Sequence, residues 1–280
     1  MRIAISTETA ADLTNELIEK YDLKVLPFNI QLGDRSLFDG EVSTDEIIEF
    51  VNQNKILPKT SAINEYQYNE HFENLLKDYD AIIHFSLSSK LSLACTNAIR
   101  AAKNYKNVYV VDSLSLSTGI ALLAIYAKDL VDQGKSAQEI YDLCNSRVAS
   151  VQASFELKRL DYLHKGGRCS SLALFGANVL RIRPQIIVKD GKMISGKKYR
   201  GNFAHVVKNY CHDVLEQFNT PDFSRVFITY TTADDDIVQF VKEFLTEKGF
   251  SQILVTRAGG TVTSHCGEDC LGILYINDGK

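Results

Sequence analysis

Short, uninterrupted apolar segments alternate with helical patterns in the first half of this chain, and this alternation limits the possible folds more than any other feature. Ala81–Phe85 and Val108–Val111 are such segments, and a serine-rich turn and a helical pattern follow each of them. Strands that are apolar on both faces are typical of a parallel sheet covered by helices. Ile3–Ser6 begins the same pattern, Val25–Ile30 is a further apolar run, and Gly33-Asp34 predicts a hairpin turn. We therefore predict an α/β unit with a parallel sheet.

The periodicity changes in the second half of the chain. Val151–Leu157 has the pattern of a strand, and Ile186–Ile194 carries a hairpin signal centred on Asp190-Gly191. A chain of 280 residues is longer than most single domains, which favours two domains. We predict an N-terminal α/β domain over residues 1–152 and a C-terminal α/β domain over residues 153–280, with a mainly antiparallel or mixed sheet in the latter.

Composition argues against several classes of function. Hydrophobic residues make up 45% of the chain, enough for a substantial core, and the net charge is −4. An acidic chain without a basic stripe is unsuited to nonspecific nucleic-acid binding. The sequence has neither a membrane-length apolar run nor the features of a signal peptide, so we expect no stable membrane insertion. Its six cysteines are scattered without a CxxC pair, which is typical of reduced thiols and predicts a cytoplasmic protein.

The stretch from residue 161 to residue 186 is the most informative for function. A short helical run stops at Gly166-Gly167, Arg168 follows, and Leu172–Leu180 then forms a helical pattern too apolar for a solvated surface. Glycines beside an arginine allow the backbone to approach an anion closely. Leu172–Leu180 and Ile120–Tyr126 could each be the wall of a pocket or simply part of the core. As walls, they predict an apolar compartment with a cation at its mouth. Such a site suits a ligand with one charged end and one apolar end.

Three clusters rich in hydroxyl groups lie in predicted loops at strand ends or helix starts. They are Pro58–Ser61, Ser86–Ser92 and Thr261–Gly267. Ligands of open α/β sheets bind outside the carboxyl ends of the strands, where the second cluster falls. A serine at a helix start is more often an N-cap than a ligand contact, and we predict that role for Ser86 and Ser117.

Taken together and in order, these segments resemble the DegV family, whose members include the fatty-acid-binding subunits of bacterial fatty acid kinase. The matching segments are Ile3–Leu13, Asp39-Gly40, Pro58-Lys59-Thr60-Ser61, Ser88-Ser89-Lys90-Leu91-Ser92, Val111-Asp112-Ser113, Leu163-His164-Lys165-Gly166-Gly167-Arg168 and Ser264-His265-Cys266-Gly267. The resemblance covers nearly the whole chain. It implies a two-domain α/β protein that holds one long-chain fatty acid between or within its domains, without a cofactor.

The resemblance also implies roles for individual residues. It assigns binding of the fatty-acid carboxylate to Thr60, Ser61, Ser92 and His265. Arg168 and Arg200 would form a docking surface for a partner ATP-dependent kinase, and Arg168 would assist phosphate transfer. The chain has no GxxxxGK[ST] loop and no kinase signature, so we expect the partner, and not this chain, to catalyse acyl-phosphate formation.

The chain departs from the family pattern at three places near the expected site. Glu8-Thr9-Ala10 replaces Asp-Ser-Thr, and Leu93-Ala94-Cys95 replaces Gly-Thr-Tyr. Gly267-Glu268-Asp269 replaces Gly-Pro-Gly, which puts two acidic residues beside the expected head group. Lipid binding is therefore a firmer expectation than coupling to a kinase.

Two other functions remain open from the sequence. A lipid sensor without a kinase partner would carry the same motifs. A thiol hydrolase is suggested by Cys266 beside His265, although these two side chains would point to opposite faces if the segment were extended. A metal site is disfavoured because the cysteine spacing after His265 has no matching second ligand pair.

Overall fold

The computed structural model describes residues 1–169 and 183–279. The predicted apolar helix over Leu172–Leu180 lies outside the described residues. The strands are β1 Ile3–Glu8, β2 Leu23–Leu26, β3 Asn29–Leu32, β4 Arg35–Phe38, β5 Lys59–Ser61, β6 Ala81–Ser86, β7 Val108–Asp112, β8 Val151–Leu157, β9 Arg183–Lys189, β10 Lys192–Tyr199, β11 Val226–Tyr230, β12 Ile253–Arg257 and β13 Cys270–Ile276. The helices are α1 Asn15–Lys20, α2 Thr44–Asn54, α3 Glu65–Leu75, α4 Ala94–Ala102, α5 Thr118–Asp132, α6 Ala137–Arg147, α7 Asp161–Gly166, α8 Phe203–Gln217, α9 Asp235–Glu247 and α10 Gly260–Cys266.

Two sheets organise the molecule and confirm the predicted α/β fold class. The N-terminal sheet has the order β2-β1-β6-β7, and all of its neighbouring strands are parallel. Every residue of β1 and β6 is buried, which explains their uninterrupted apolar character. The C-terminal sheet has the order β10-β9-β8-β13-β11-β12 and is antiparallel except for the β11–β12 pair. The hairpin predicted around Asp190-Gly191 joins β9 to β10.

A small antiparallel sheet, of order β4-β3-β5, is an element that the sequence patterns did not predict. The predicted hairpin turn at Gly33-Asp34 joins β3 to β4. The apolar run Val25–Ile30 is not one strand, because β2 ends at Leu26 and β3 begins at Asn29 in a different sheet. Pro27 lies between them, and a proline has no N–H to donate to a sheet. The small sheet supplies β5, which carries part of the site described below.

One large cluster of buried apolar side chains crosses the predicted domain boundary. Residues 120–125 of α5 are fully buried in this cluster together with Ala153, Phe227 and Leu274 from the second half. None of residues 120–126 lines the apolar cavity described below, so the structure supports the other interpretation of this stretch, in which it belongs to the core. The division at residue 152 stays a prediction, although β8 begins the C-terminal sheet at Val151.

The short helix α10 is held by two buried aspartates from the first half of the chain. Asp39, directly after β4, accepts hydrogen bonds from the backbone N–H groups of Gly260 (2.8 Å) and Thr261 (3.0 Å). Asp12 accepts one from the N–H of Gly259 at 2.7 Å. These bonds satisfy N–H groups that have no partner within a helix's first turn. These three hydrogen bonds hold α10 in position beside the candidate site.

Candidate functional site

An apolar cavity of about 260 Å³ lies between the two halves of the chain. Its walls include Phe28, Leu91, Leu116, Phe155, Met193 and Val262, and its polar lining residues are Thr60, Ser92, Arg168, Thr261 and His265. Both halves supply wall residues, so the cavity exists only in the folded whole. The structure thus brings Thr60, Ser92, Arg168 and His265, all singled out from the sequence, to one cavity.

Strand β5 determines which side chain of the Pro58–Ser61 cluster reaches the cavity. Thr60 is half-buried and lines it, while Lys59 and Ser61 are exposed. Side chains alternate along a strand, so neighbours of Thr60 must point to the other face. The structure therefore does not bring Ser61 to the carboxylate site assigned to it, and the segment predicted as a loop is an edge strand paired with β3.

His265 lies in the last turn of α10, where its imidazole meets Thr60. Its Nε2 is 2.8 Å from Thr60 Oγ1, whereas its buried Nδ1 has no hydrogen-bond partner among the described residues. Gly166 permits this packing, because a Cβ at that position would lie 2.8 Å from Nδ1. Burial and the nearby charge of Arg168 lower the pKa of His265 to about 4. A neutral imidazole donating from Nε2 to Thr60 leaves the Thr60 hydroxyl proton free for a ligand.

Ser92 contributes a second hydroxyl at the start of α4. Its Oγ accepts a hydrogen bond from the backbone N–H of Ala94 at 3.1 Å. A hydroxyl that accepts in this way still has its own proton to donate. Ser92 lines the cavity, so that proton is available to an anionic ligand.

Two serines predicted as N-caps instead bind buried carboxylates. Ser86 donates to Glu8 at 2.6 Å, and Ser117 donates to Asp12 at 2.5 Å. The N-cap residues of the two helices that follow, Leu93 of α4 and Ser117 of α5, make no side-chain cap hydrogen bond. The prediction failed because a distant carboxylate, which no local pattern reveals, competes with the backbone for the hydroxyl.

Arg168 and Arg200 occupy different places. Gly167, at a φ of +70°, ends α7, and Arg168 follows it with its guanidinium bonded to the carbonyl of Gly166 at 2.6 Å. Arg168 is exposed and borders the cavity mouth. Arg200 is also exposed, directly after β10, but lines neither the apolar cavity nor the pocket described next.

A second pocket of about 410 Å³, here called the outer pocket, shares part of its wall with the apolar cavity. Thr60, His265 and Arg168 line both, and the outer pocket adds Lys59 and Lys165. The polar end of the cavity therefore faces a pocket bordered by three cationic side chains. Sequence reasoning missed the two lysines, although both lie within segments that carried the family resemblance.

Glu268 and Asp269, the two acidic residues that depart from the family pattern, do not line this site. Their carboxylates lie 3.5 Å and 3.0 Å from the Lys158 ammonium, and neither residue lines the apolar cavity or the outer pocket. The pairing with Lys158 also offsets their charge.

The geometry does not favour a thiol hydrolase. His265 and Cys266 belong to the helix α10 and not to an extended segment. Their side chains therefore do not point to opposite faces, as they would in a strand. The Nε2 of His265 bonds to Thr60, whereas an activated thiol needs the imidazole as its base. Within residues 1–169 and 183–279 there is no group of three or more potential metal ligands, and no helix there could cross a membrane.

Comparison with known protein families shows to which family this chain belongs. The model of a family described as an uncharacterised protein of the DegV family matches residues 2–278. The chain belongs to the DegV family. The match covers both sheets and every residue of the site, so the DegV assignment applies to the whole arrangement described above.

Individual DegV relatives match over nearly their full lengths. A DegV domain-containing protein of Clostridium acetobutylicum is 30% identical over an alignment of 280 positions that covers 98% of each chain. A Thermotoga maritima protein named a fatty acid-binding protein is 27% identical, over 97% of this chain and 96% of its own. The solved structure of the fatty acid kinase (Fak) B3 protein of Streptococcus pneumoniae, loaded with linoleic acid, is 20% identical, with a TM-score of 0.85 over 99% of this chain and 100% of its own.

Proposed function

We propose that this protein binds one long-chain fatty acid, with the acyl chain in the apolar cavity and the carboxylate at Thr60, Ser92 and His265. The observation that carries the proposal is the pairing of hydroxyl donors with a neutral imidazole at the polar end of an otherwise apolar cavity. No cofactor is part of this proposal.

The chemistry of the polar end suits a carboxylate. Two hydroxyls can donate to its oxygens, and hydrogen bonds to a charged acceptor are stronger than those between neutral groups. The acyl chain would contribute roughly 0.8 kcal/mol per buried methylene, so about fourteen methylenes gain on the order of 11 kcal/mol before ordering costs are subtracted. The tail therefore supplies most of the affinity, and the head group supplies the orientation.

The second part of the proposal is that the bound carboxylate is presented to a partner ATP-dependent kinase. A carboxylate oxygen would attack the γ-phosphorus of ATP, ADP would leave, and an acyl phosphate would form. The outer pocket supports this role because Lys59, Lys165 and Arg168 border it next to Thr60 and His265. Cationic side chains at that point would attract the phosphates and stabilise negative charge during transfer.

Fatty-acid binding is tested by retention measurements. Denaturing the purified protein and analysing the released organic acids by mass spectrometry should detect a long-chain fatty acid. Thr60→Val and Ser92→Ala should each weaken retention by about 1–3 kcal/mol, because each leaves part of the carboxylate unpaired. Ser61→Ala is the matched control and should retain the ligand as the wild type does. Unchanged retention in both site variants would contradict the assignment.

Presentation to a kinase is tested separately with the two arginines. Arg168→Ala should keep fatty-acid retention nearly unchanged but abolish ATP-dependent phosphorylation of the bound acid by the partner. Arg200→Ala should slow phosphorylation without changing retention, if Arg200 contributes to docking. Loss of the lipid in Arg168→Ala would instead assign Arg168 to carboxylate binding, and normal phosphorylation would remove it from the transfer step.

A further inference from the structure

A small pocket of about 20 Å³, here called the inner pocket, adjoins the apolar cavity, and Gly272 and Leu274 are among the residues that line it. The residues that line both the inner pocket and the apolar cavity are Leu116, Phe155, Val262 and Cys266. The outer pocket shares Thr60, Arg168 and His265 with the cavity but no described residue with the inner pocket. The apolar cavity therefore lies between the outer pocket, at its polar end, and the inner pocket.

The inner pocket depends on the missing side chain of Gly272. This glycine of β13 lies directly opposite Phe155 of β8 in the antiparallel pair. Residues opposite each other in such a pair project to the same face of the sheet. A Cβ at Gly272 would lie 3.1 Å from the Cβ of Phe155 and 2.8 Å from the carbonyl oxygen of Ser154. The glycine therefore leaves open the space beside Phe155.

The serine and threonine side chains that line the inner pocket already have hydrogen-bond partners. Thr229 Oγ1 lies 2.6 Å from Thr118 Oγ1, and Ser117 donates to Asp12 at 2.5 Å. Thr231 Oγ1 accepts a hydrogen bond from a backbone N–H at 3.2 Å. A hydrocarbon group that entered this space would therefore leave none of these hydroxyls unpaired, which suits the end of an acyl chain.

We propose that Phe155 limits the length of the acyl chain that this cavity accepts. The inference rests on the proposed fatty-acid binding and names a residue that selects among fatty acids. A carboxylate bound at Thr60 and His265 leaves the chain to extend away from the outer pocket, toward the wall shared with the inner pocket. Phe155 has the largest side chain of the four in that shared wall and is 5% exposed. Because packed interiors tolerate little overlap, a chain that reaches its ring must end there.

The test compares saturated acids from lauric to behenic acid, each two carbons longer than the last, in direct competition on delipidated protein. Wild-type affinity should rise about fourfold per methylene until the chain reaches Phe155, and should fall beyond that length. Phe155→Ala joins the inner pocket to the cavity, so the preferred acid should be at least two carbons longer. That longer acid should gain at least about tenfold relative to the acid preferred by the wild type, as two further buried methylenes provide.

Two further variants make the comparison specific. Phe28 lines the apolar cavity but not the inner pocket, so Phe28→Ala is the matched control and should leave the preferred length unchanged. Phe155→Leu keeps more of the core volume and should weaken the discrimination against the first acid that is too long, which provides the test if Phe155→Ala does not fold. Acids are ranked within each variant, so a uniform loss of affinity does not alter the result.

The outcomes separate this inference from the proposed function. An unchanged ranking of the acids in both Phe155 variants, or an equal shift in Phe28→Ala, would overturn the role of Phe155 while leaving fatty-acid binding intact. A wild-type affinity that still rises at behenic acid would overturn it as well. Failure of the wild type to bind any acid of the series would contradict the proposed function itself.

Discussion

The imidazole of His265 is held neutral by its surroundings. Burial removes water from the ring, and Arg168 adds a positive charge nearby, so that the pKa falls to about 4. The hydrogen bond to Thr60 joins residues that are 205 positions apart in the chain. A neutral imidazole can donate a hydrogen bond to the hydroxyl of Thr60. It does so without placing a positive charge that would neutralise the carboxylate of the ligand.

The lowered pKa predicts a pH-dependent loss of stability. An unfolded histidine titrates near 6.5, so between about pH 6.5 and pH 4 the unfolded state binds more protons than the folded state. The free energy of unfolding should therefore fall as the pH decreases through this window. Relative to His265→Gln, wild-type protein should lose about 2 to 3 kcal/mol between pH 7 and pH 4.5, measured by urea unfolding. A difference independent of pH would show that the ring is not neutral and buried.

Gly166 is predicted to matter for ligand binding because its lack of a side chain leaves room for the imidazole of His265, and not because of its backbone conformation. In Gly166→Ala the added Cβ would lie 2.8 Å from His265 Nδ1, so the imidazole must move. Gly166 is helical, and alanine favours a helix by about 1 kcal/mol over glycine. We expect an unchanged or higher melting temperature together with about tenfold weaker fatty-acid retention, a loss comparable to one hydrogen bond. Normal retention in this variant would mean that the imidazole does not orient the ligand.

At the scale of elements, α10 depends on the chain around it. With seven residues it is too short to be stable alone, since isolated helices of this length do not form in water. Asp39 and Asp12 supply the missing acceptors for its first turn. The same helix carries Thr261 and His265, so the aspartates position the site without touching the cavity.

Removal of the Asp39 carboxylate should weaken both folding and binding. Asp39→Ala leaves the N–H groups of Gly260 and Thr261 unpaired, and we expect the free energy of unfolding to fall by at least about 2 kcal/mol. Fatty-acid retention should fall as well. Asp45→Ala is the control, because Asp45 is exposed and pairs with Arg257 at the surface, where ion pairs contribute less than about 1 kcal/mol. Chemical denaturation of both variants decides the matter, and equal losses would contradict a special role for Asp39.

At the scale of the whole molecule, the two halves are joined by buried polar contacts as well as by the shared apolar core. Arg147 of α6 is 5% exposed and forms ion pairs at 2.8 Å with Asp222 and with Asp278 from the end of the chain. Thr118 of α5 lies 2.6 Å from the hydroxyl of Thr229 on β11. These contacts join the two halves across the predicted boundary.

The halves should therefore not fold separately. A fragment of residues 1–152 loses both ion-pair partners of Arg147. It also exposes the core side chains of α5. We expect neither this fragment nor residues 153–280 to unfold cooperatively by circular dichroism. Co-expression of the two fragments is the control and should restore a cooperative transition. A cooperative transition in either isolated fragment would support two independent domains.

Sequence patterns predicted the strands well where apolar residues follow one another without interruption. The apolar segments that form β6 and β7 were evident, and so was the glycine turn between β9 and β10. Each of these features is determined by residues that are adjacent in the chain. The edge strand β5 was not evident, since three residues with one half-buried side chain give no periodic signal. Thr261 belonged to a hydroxyl-rich cluster that the sequence singled out, but only the folded helix reveals that its hydroxyl has no partner among the described residues.

The sequence by itself determined the class of fold and the set of residues from which the site is built, since strand and helix periodicities and ordered motifs are local properties of a chain. Only the tertiary structure decided which of those residues meet: it joined Thr60 to His265, left Ser61 and Arg200 outside, and placed residues 120–125 in the core. The reason is physical. Contacts between residues distant in the chain depend on how sheets and helices pack to exclude water, and local patterns carry little information about that packing.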